Sequence, residues 1–311
     1  MADQQKAVKG TRTQLVLAFA AVYIIWGSTY LAIRFALETL PPFLMAGVRF
    51  VVAGLILYAV QRLRSGTRPT AAQWRATFII GGLLITVGNG AVVWSELRIP
   101  SGIAAIVVAV MPCWMVLLDW LWERNDRPGW KTVVGLLLGF GGLALLIVPG
   151  IRGEAGSLDI HGIGAVMVGS ICWAVGSIYS KRVSLPTPQL LATGMEMLCG
   201  GALLVLLGLV MGEASHVSFA TMTMHSVLAL AYLTVFGSLI AFSAYIWLLH
   251  RVSAAQVSTY AYVNPLVAVL LGWAMAHEAL TPVMAAATAF IIAGVVLITL
   301  SNRSETEAAE A

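Results

Sequence analysis

Charge is what this sequence has least of. Asp, Glu, Lys and Arg together make up 10% of its 311 residues, against about 25% in an ordinary soluble domain, while 59% are hydrophobic. That balance excludes a water-soluble fold and leaves no room for a separate catalytic domain. Cysteine is nearly as scarce. Cys113, Cys172 and Cys199 are odd in number and lie inside apolar runs, so they read as small core residues, neither a disulfide framework nor a zinc-ligand set. There is no Walker A glycine loop ending in Lys-Ser/Thr, which argues against ATP-driven pumping by this chain. His277-Glu278 lacks the second histidine of a zinc-protease motif, and no Ser/His/Asp or paired-carboxylate arrangement stands out. The expectation is a non-enzyme with no cofactor and no metal.

What is present is length in apolar runs. One bilayer crossing takes about 20 predominantly apolar residues. Ten such runs follow one another, at 15–37, 42–60, 76–95, 101–122, 131–149, 160–180, 188–210, 225–249, 255–276 and 282–300. Lys6, Lys9 and Arg12 before the first run resemble the n-region of a signal peptide, but that run is longer than a signal core and nine more follow it. The fold class expected is all-α and polytopic, with ten transmembrane helices.

Formal net charge is +4, and the placement of the basic residues matters more than their sum. With the N-terminus in the cytoplasm, Lys6, Lys9, Arg12, Arg62, Arg64, Arg68, Arg75, Arg124, Arg127, Lys131, Lys181, Arg182, Arg251 and Arg303 fall on that side, fourteen of the eighteen. The positive-inside rule therefore puts both termini, 1–14 and 301–311, in the cytoplasm of a bacterial inner (plasma) membrane protein. Basic charge at membrane loops reports orientation, so no nucleic-acid partner is expected; the partners are lipid and a small-molecule solute.

The chain also repeats itself. At an offset of 147, Trp26 falls on Trp173, Arg34 on Lys181 and Pro41 on Pro188. At 153, Trp94 falls on Trp247, Arg98 on Arg251, Pro112 on Pro265 and Trp120 on Trp273; at 152, Gly142 falls on Gly294. The order and near-constant offset point to a five-helix unit over 15–149 and a second over 160–300. Because five is odd, the second enters the membrane from the opposite side: the repeats are inverted. Inverted repeats place equivalent helices about an axis in the membrane plane and allow a central site to open to either side in turn.

Polar residues at membrane depth carry the functional information, since a charge near the bilayer centre costs at least about 2.5–3.5 kcal/mol on insertion scales. Arg49 and Glu196 are both mid-run and repeat-equivalent. They are candidates for substrate charge or proton coupling, approaching one another across the pseudo-two-fold, or for structural groups satisfied locally. Pro112 and Pro265 each free the carbonyl four residues earlier, at Val108 and Ala261, and are candidate hinges beside a wet cavity. Candidate lining residues are Asn89 and Trp94 from helix 3, Ser258, Tyr260, Tyr262 and Asn264 from helix 9, and Trp26 and Trp173 as lining or gating aromatics. Such a mixture suits a small amphipathic solute, because aromatic faces bind apolar or cationic parts while amides and hydroxyls fix orientation. Glu278 and His277 read as a solvated helix end. Gly135 and Gly139 form a GxxxG pair suited to helix packing within the chain or to a homo-oligomer contact.

Trp26-Gly27-Ser28-Thr29-Tyr30, Pro41 followed by Arg49, the proline of helix 4, and Asn264-Pro265 with Glu278 thirteen residues after that proline resemble the EamA-type members of the drug/metabolite transporter superfamily. The resemblance spans nearly the whole chain. It implies a ten-helix inner-membrane carrier whose helices 3, 4, 8 and 9 surround a central cavity, exporting amino acids or related metabolites. The first repeat departs from the pattern: Asn125 stands thirteen residues after Pro112, where the second has Glu278. A carrier of drugs, sugar phosphates or nucleotide-sugars is the alternative, though phosphate calls for several cations facing the pocket and Arg49 alone is available. A lipid-modifying enzyme would need a polar cluster at an interface, and none is visible.

Overall fold

A computed structural model describes residues 11–123, 129–151, 158–252, 257 and 259–310. Among them the regular structure is helical, with no strand. Ten helices follow in chain order: α1 Arg12–Ala36, α2 Pro42–Ser65, α3 Ala71–Ser95, α4 Ser101–Glu123, α5 Trp130–Ile151, α6 Ile160–Arg182, α7 Gln189–Val210, α8 Met224–Leu249, α9 Tyr260–Ala276 and α10 Pro282–Glu310. The apolar parts of α9 and α10, Val263–Ala276 and Pro282–Ile298, are shorter than the rest. The last helix outruns its apolar stretch because the residues that follow, Glu305 to Glu310, include strong helix formers.

Local chemistry starts these helices where the apolar runs begin. Thr11 with Gln14 and Thr70 with Gln73 make capping boxes on α1 and α3, Asp159 accepts from His161 N and Gly162 N at the head of α6, and Pro42 opens α2 at its first position. A longer-range cap holds α2 in place. The Glu213 carboxylate, just past α7, accepts from Phe43 N at 3.2 Å and Leu44 N at 2.8 Å. Glu213→Ala should lower the thermal unfolding temperature in detergent by a loss of about 1–3 kcal/mol, the usual cost of removing a charged hydrogen-bond partner from a buried group. It should leave solute transport intact, since Glu213 lies outside the cavity described below.

The helix packing is the same when the two halves are exchanged. α2 packs along α7 and α5 along α10, α3 lies against α6 as α8 lies against α1, α4 against α6 as α9 against α1, and α4 meets α9. Glycines at the crossings follow the same rule. A Cβ on Gly47 would lie 2.9 Å from Gly201 O, and one on Gly54 would lie 2.9 Å from Gly194 O; Gly194 and Gly201 stand 147 residues after Gly47 and Gly54. At the α5–α10 crossing, Gly135 abuts the Gly294 carbonyl and Gly142 abuts that of Ala287. The GxxxG face of α5 is thus covered within the chain: Gly135 by α10, and Gly139 by α10 and Cys113 of α4.

The helices depart from regular α geometry in two ways. α1, α3 and α8 each widen to i→i+5 turns, over Ala21–Ile25, Gly82–Asn89 and Leu233–Phe242. The segment in α8 overlaps that in α3 at a sequence offset of 153. Such turns shift the register of everything that follows and gather at functional positions. α4 is broken as well as bent: it runs Ser101–Val108, interrupts at 109–110, and resumes at Met111–Glu123, one residue before Pro112. Pro265 lies inside α9, which continues through it.

Candidate functional site

The wider turns and the break in α4 converge on one place. Ile25 ends the first wide turn and Trp26 follows it, Asn89 ends the second, Phe242 ends the third, and Val108 is the last helical residue before the interruption in α4. Trp26, Asn89, Phe242 and Val108 all line a cavity of about 80 Å³ at the middle of the bundle. Since one water centre needs roughly 10–15 Å³, it holds several waters or part of a small solute in this conformation. α3, α4, α8 and α9 contribute as expected, and α1, α2 and α6 contribute too. From α1 come Trp26, Thr29, Tyr30 and Ile33, one face at i, i+3, i+4, i+7.

Arg49 supplies the charge. It is 2% exposed; its Nη2 donates to Asn89 Oδ1 at 2.5 Å, its guanidinium carbon lies 4.5 Å from the Phe50 ring centre, and its Nε has no protein partner. Asn264 presents a buried Oδ1 that is likewise unpartnered. Unmet buried donors and acceptors are costly, and here both border a cavity in which a polar solute could meet them. Among the described residues, no carboxylate lines this cavity.

An aromatic layer lines one part of this cavity. Trp26 meets Trp173 edge to face at 5.6 Å and Tyr260 at 5.4 Å, and Tyr245 lies behind, receiving hydrogen bonds from Trp173 Nε1 at 3.0 Å. Ser177 shares a hydrogen bond with Tyr245 Oη at 2.8 Å. Trp26 Nε1 donates to Gly237 O at 3.3 Å. Next to this layer, towards the start of α1, Tyr23 Oη and Thr259 Oγ1 lie 2.5 Å apart.

Asn89, Trp26, Trp173, Tyr260, Asn264 and Arg49 therefore come together. Trp94 does not: its ring stands outside the cavity beneath the Arg98 guanidinium, 4.4 Å from the ring centre. Ser258 and the Tyr262 side chain lie outside the described residues, as does Asn125. Pro112 sits beside the break in α4 and Pro265 one residue past Asn264. Arg49 and Glu196 do not pair. Glu196 is fully buried with both carboxyl oxygens unpartnered, near Tyr245 and Cys199, and it does not line the cavity.

Two acidic residues behave differently from what the linear sequence suggests. Glu278 is no solvated helix end: its Oε1 accepts from Ser101 N at 2.8 Å and its Oε2 from Gly102 N at 3.1 Å, capping α4. A helix N-terminus carries partial positive charge, which explains the attraction. Glu96, in the turn after α3, is 0% exposed and neither carboxyl oxygen has a hydrogen-bond partner. Burial first, then the Glu278 charge, push its pKa well above the ordinary carboxylate range, against the pull of Arg34 and Arg49.

The model for the EamA-like transporter family matches residues 13–148 and again 160–300. The chain belongs to the EamA-like transporter family. It is 40% identical over 288 residues to the "Uncharacterized inner membrane transporter YedA" of Escherichia coli K12, covering 92% of this chain and 90% of that protein. It is 25% identical to "Uncharacterized transporter YvbV" of Bacillus subtilis (98% and 97% covered) and 27% identical to "Protein PecM" of Dickeya dadantii (88% of each). A protein of known crystal structure superimposes with a TM-score of 0.67 at 22% identity, covering 95% of this chain and 100% of that one, a likeness of fold. As an EamA-like chain of ten apolar helices, this is a multi-pass inner-membrane transporter.

Proposed function

We propose that this transporter exports amino acids or related small metabolites by alternating access, with 15–149 and 160–300 acting as two inverted five-helix repeats and both termini in the cytoplasm. The observation that carries the solute class is the lining: a single buried guanidinium, fixed by Asn89, beside aromatic faces and the open amide oxygen of Asn264. A guanidinium fork matches a carboxylate, and aromatic faces accept an aliphatic side chain or an ammonium. One cation is too few for a phosphorylated sugar, which spreads two charges over several oxygens. Trp26, Trp173, Tyr245 and Tyr260 form the gate on the side of the start of α1; the break at Pro112 and the proline at Pro265 are its hinges. The chain acts as a carrier, not as a catalyst.

Counterflow in proteoliposomes of the purified protein, with a panel of radiolabelled amino acids, tests this. Saturable exchange of one amino-acid class is expected, and Asn264→Ala should raise its KM about five- to tenfold, as loss of one net hydrogen bond of about 1–1.5 kcal/mol implies. Absence of exchange for every amino acid would refute the solute class.

A further inference from the structure

Glu96 sits between two spaces. On one side is the central cavity, whose wall includes Tyr30 and Arg49; on the other is a second cavity of about 450 Å³ at the opposite end from the aromatic layer, lined by Arg34, Glu38, Leu97 and His277 among others. Tyr30 and Arg49 both lie within electrostatic reach of the Glu96 carboxyl, Arg34 Nη1 donates to its main-chain oxygen at 3.0 Å, and Leu97 is its chain neighbour. The carboxyl itself lines neither cavity; it is buried behind residues that line the two, and it has no protein donor to satisfy it.

The groups around it can be named element by element. α1 brings Tyr30 and Arg34, α2 brings Arg49, and the turn between α9 and α10 brings Glu278. In its own turn, Arg98 is engaged elsewhere, donating to Asp159 Oδ2 at 3.0 Å while stacking on Trp94. Arg34 spends a donor on the Glu96 main chain, Arg49 spends one on Asn89, and Glu278 spends both oxygens on α4. None of these groups hydrogen-bonds the Glu96 carboxyl, and a buried carboxylate without such bonds is among the costliest arrangements a protein can hold. A proton removes that cost.

We propose that Glu96 is a proton-binding site that loads from the outer cavity and couples proton entry to solute exit. The coupling rests on the amino-acid reading above and follows from charge. An amino acid in the central cavity has its carboxylate drawn to Arg49, and its ammonium, repelled by Arg49, is held on the acidic side where Glu96 lies. Glu96 lines neither cavity, so ammonium and proton compete for its negative charge through the field across the cavity wall, where Tyr30 and Arg49 stand. When the ammonium arrives, the carboxyl releases its proton; when the amino acid leaves, the carboxylate takes a proton from the outer cavity. Competition for one charge is what ties the two fluxes in opposite directions. Glu278 tunes the site, since its negative charge favours the protonated form of Glu96.

Infrared titration of the full-length protein in lipid, using the proton alone as the probe, tests the site without knowledge of the solute. The wild type should show a protonated-carboxyl band that disappears reversibly on raising pH, Glu96→Gln should remove it, Glu196→Gln should leave it, and Glu278→Gln should move its midpoint to lower pH. A titrating band that survives Glu96→Gln unchanged would overturn the proposal. The coupling is read from the ratio of pH-gradient-driven to equal-pH amino-acid flux in proteoliposomes. A severalfold stimulation in the wild type should fall to none in Glu96→Gln, and a stimulation that persists would overturn the coupling. A panel without any counterflow refutes the amino-acid reading instead, and the titration then decides the proton site by itself.

Discussion

Replacing Arg49 with methionine is expected to reduce kcat/KM for the transported solute by at least about a hundredfold while leaving the fold as stable as before or more so. The first half follows from what Arg49 offers. Among the described residues its guanidinium is the one charged group on the wall of the central cavity, and a charge-assisted hydrogen bond contributes about 1.5–3 kcal/mol, or about tenfold to more than a hundredfold. Two such bonds from a fork to a carboxylate put the loss at the upper end. The second half follows from burial. A cation at 2% exposure inside a membrane bundle costs free energy to hold there, and an unbranched apolar side chain of similar length fills the same space without that cost. Arg49→Lys is expected to recover little, because an ammonium cannot bond Asn89 and a carboxylate in one plane as the fork does. Initial counterflow rates together with thermal unfolding in detergent separate the two halves. A fall in rate that merely tracks a fall in folded protein would show that Arg49 is a structural group.

This division between cost to the fold and use in the site also explains which residues were legible beforehand. Apolar runs near twenty residues long identify membrane helices because the bilayer imposes that length, and the paired prolines and tryptophans are the signal from which the repeat reading is drawn. Asn89, Asn264 and Arg49 stood out because polar groups are retained at depth only where something uses them. Which face of a helix they occupy was harder, since lipid-facing and protein-facing residues are both apolar and the usual contrast is missing. Trp94 shows where spacing would have helped. It is five residues from Asn89, about 140° around a regular helix, so the two cannot share a face. Conversely, Trp26, Thr29, Tyr30 and Ile33 follow helical spacing along one side of α1, and of these the sequence offers only Trp26 as a lining candidate. The wide turns in α1, α3 and α8 left no trace in composition, because an i→i+5 turn uses the same residues as an i→i+4 one. Glu96 was passed over because it stands at the end of an apolar run, where a charged residue reads as a loop; its burial comes from α1, α2 and the α9–α10 turn closing over it.

The seam between α2 and α7 should tolerate no added side chain. A Cβ at Gly201 would lie 2.8 Å from Val51 N and 3.0 Å from Gly47 O, both main-chain atoms that can move only if the whole of α2 moves. At the other end of the crossing a Cβ at Gly194 would lie 2.7 Å from Tyr58 N. Lipid-embedded helices gain little from the hydrophobic effect on pairing, so their association depends on close contact of this kind, and a valine that pries the backbones apart forfeits it along the whole crossing. Gly201→Val is therefore expected to cost more than about 3 kcal/mol, beyond the usual range for overpacking, and to abolish monodisperse folded protein. Gly141 on α5 supplies the comparison, since a Cβ there would meet nothing within 4 Å and it faces outward. Gly141→Val should express and unfold like the wild type, or slightly better, because a glycine in mid-helix is worth about 1 kcal/mol less than alanine. Size-exclusion profiles and unfolding temperatures of the two variants side by side decide the matter: if both behave as wild type, the seam is looser than its geometry requires, and if only Gly201→Val fails, the α2–α7 crossing is the axis about which the two halves are built.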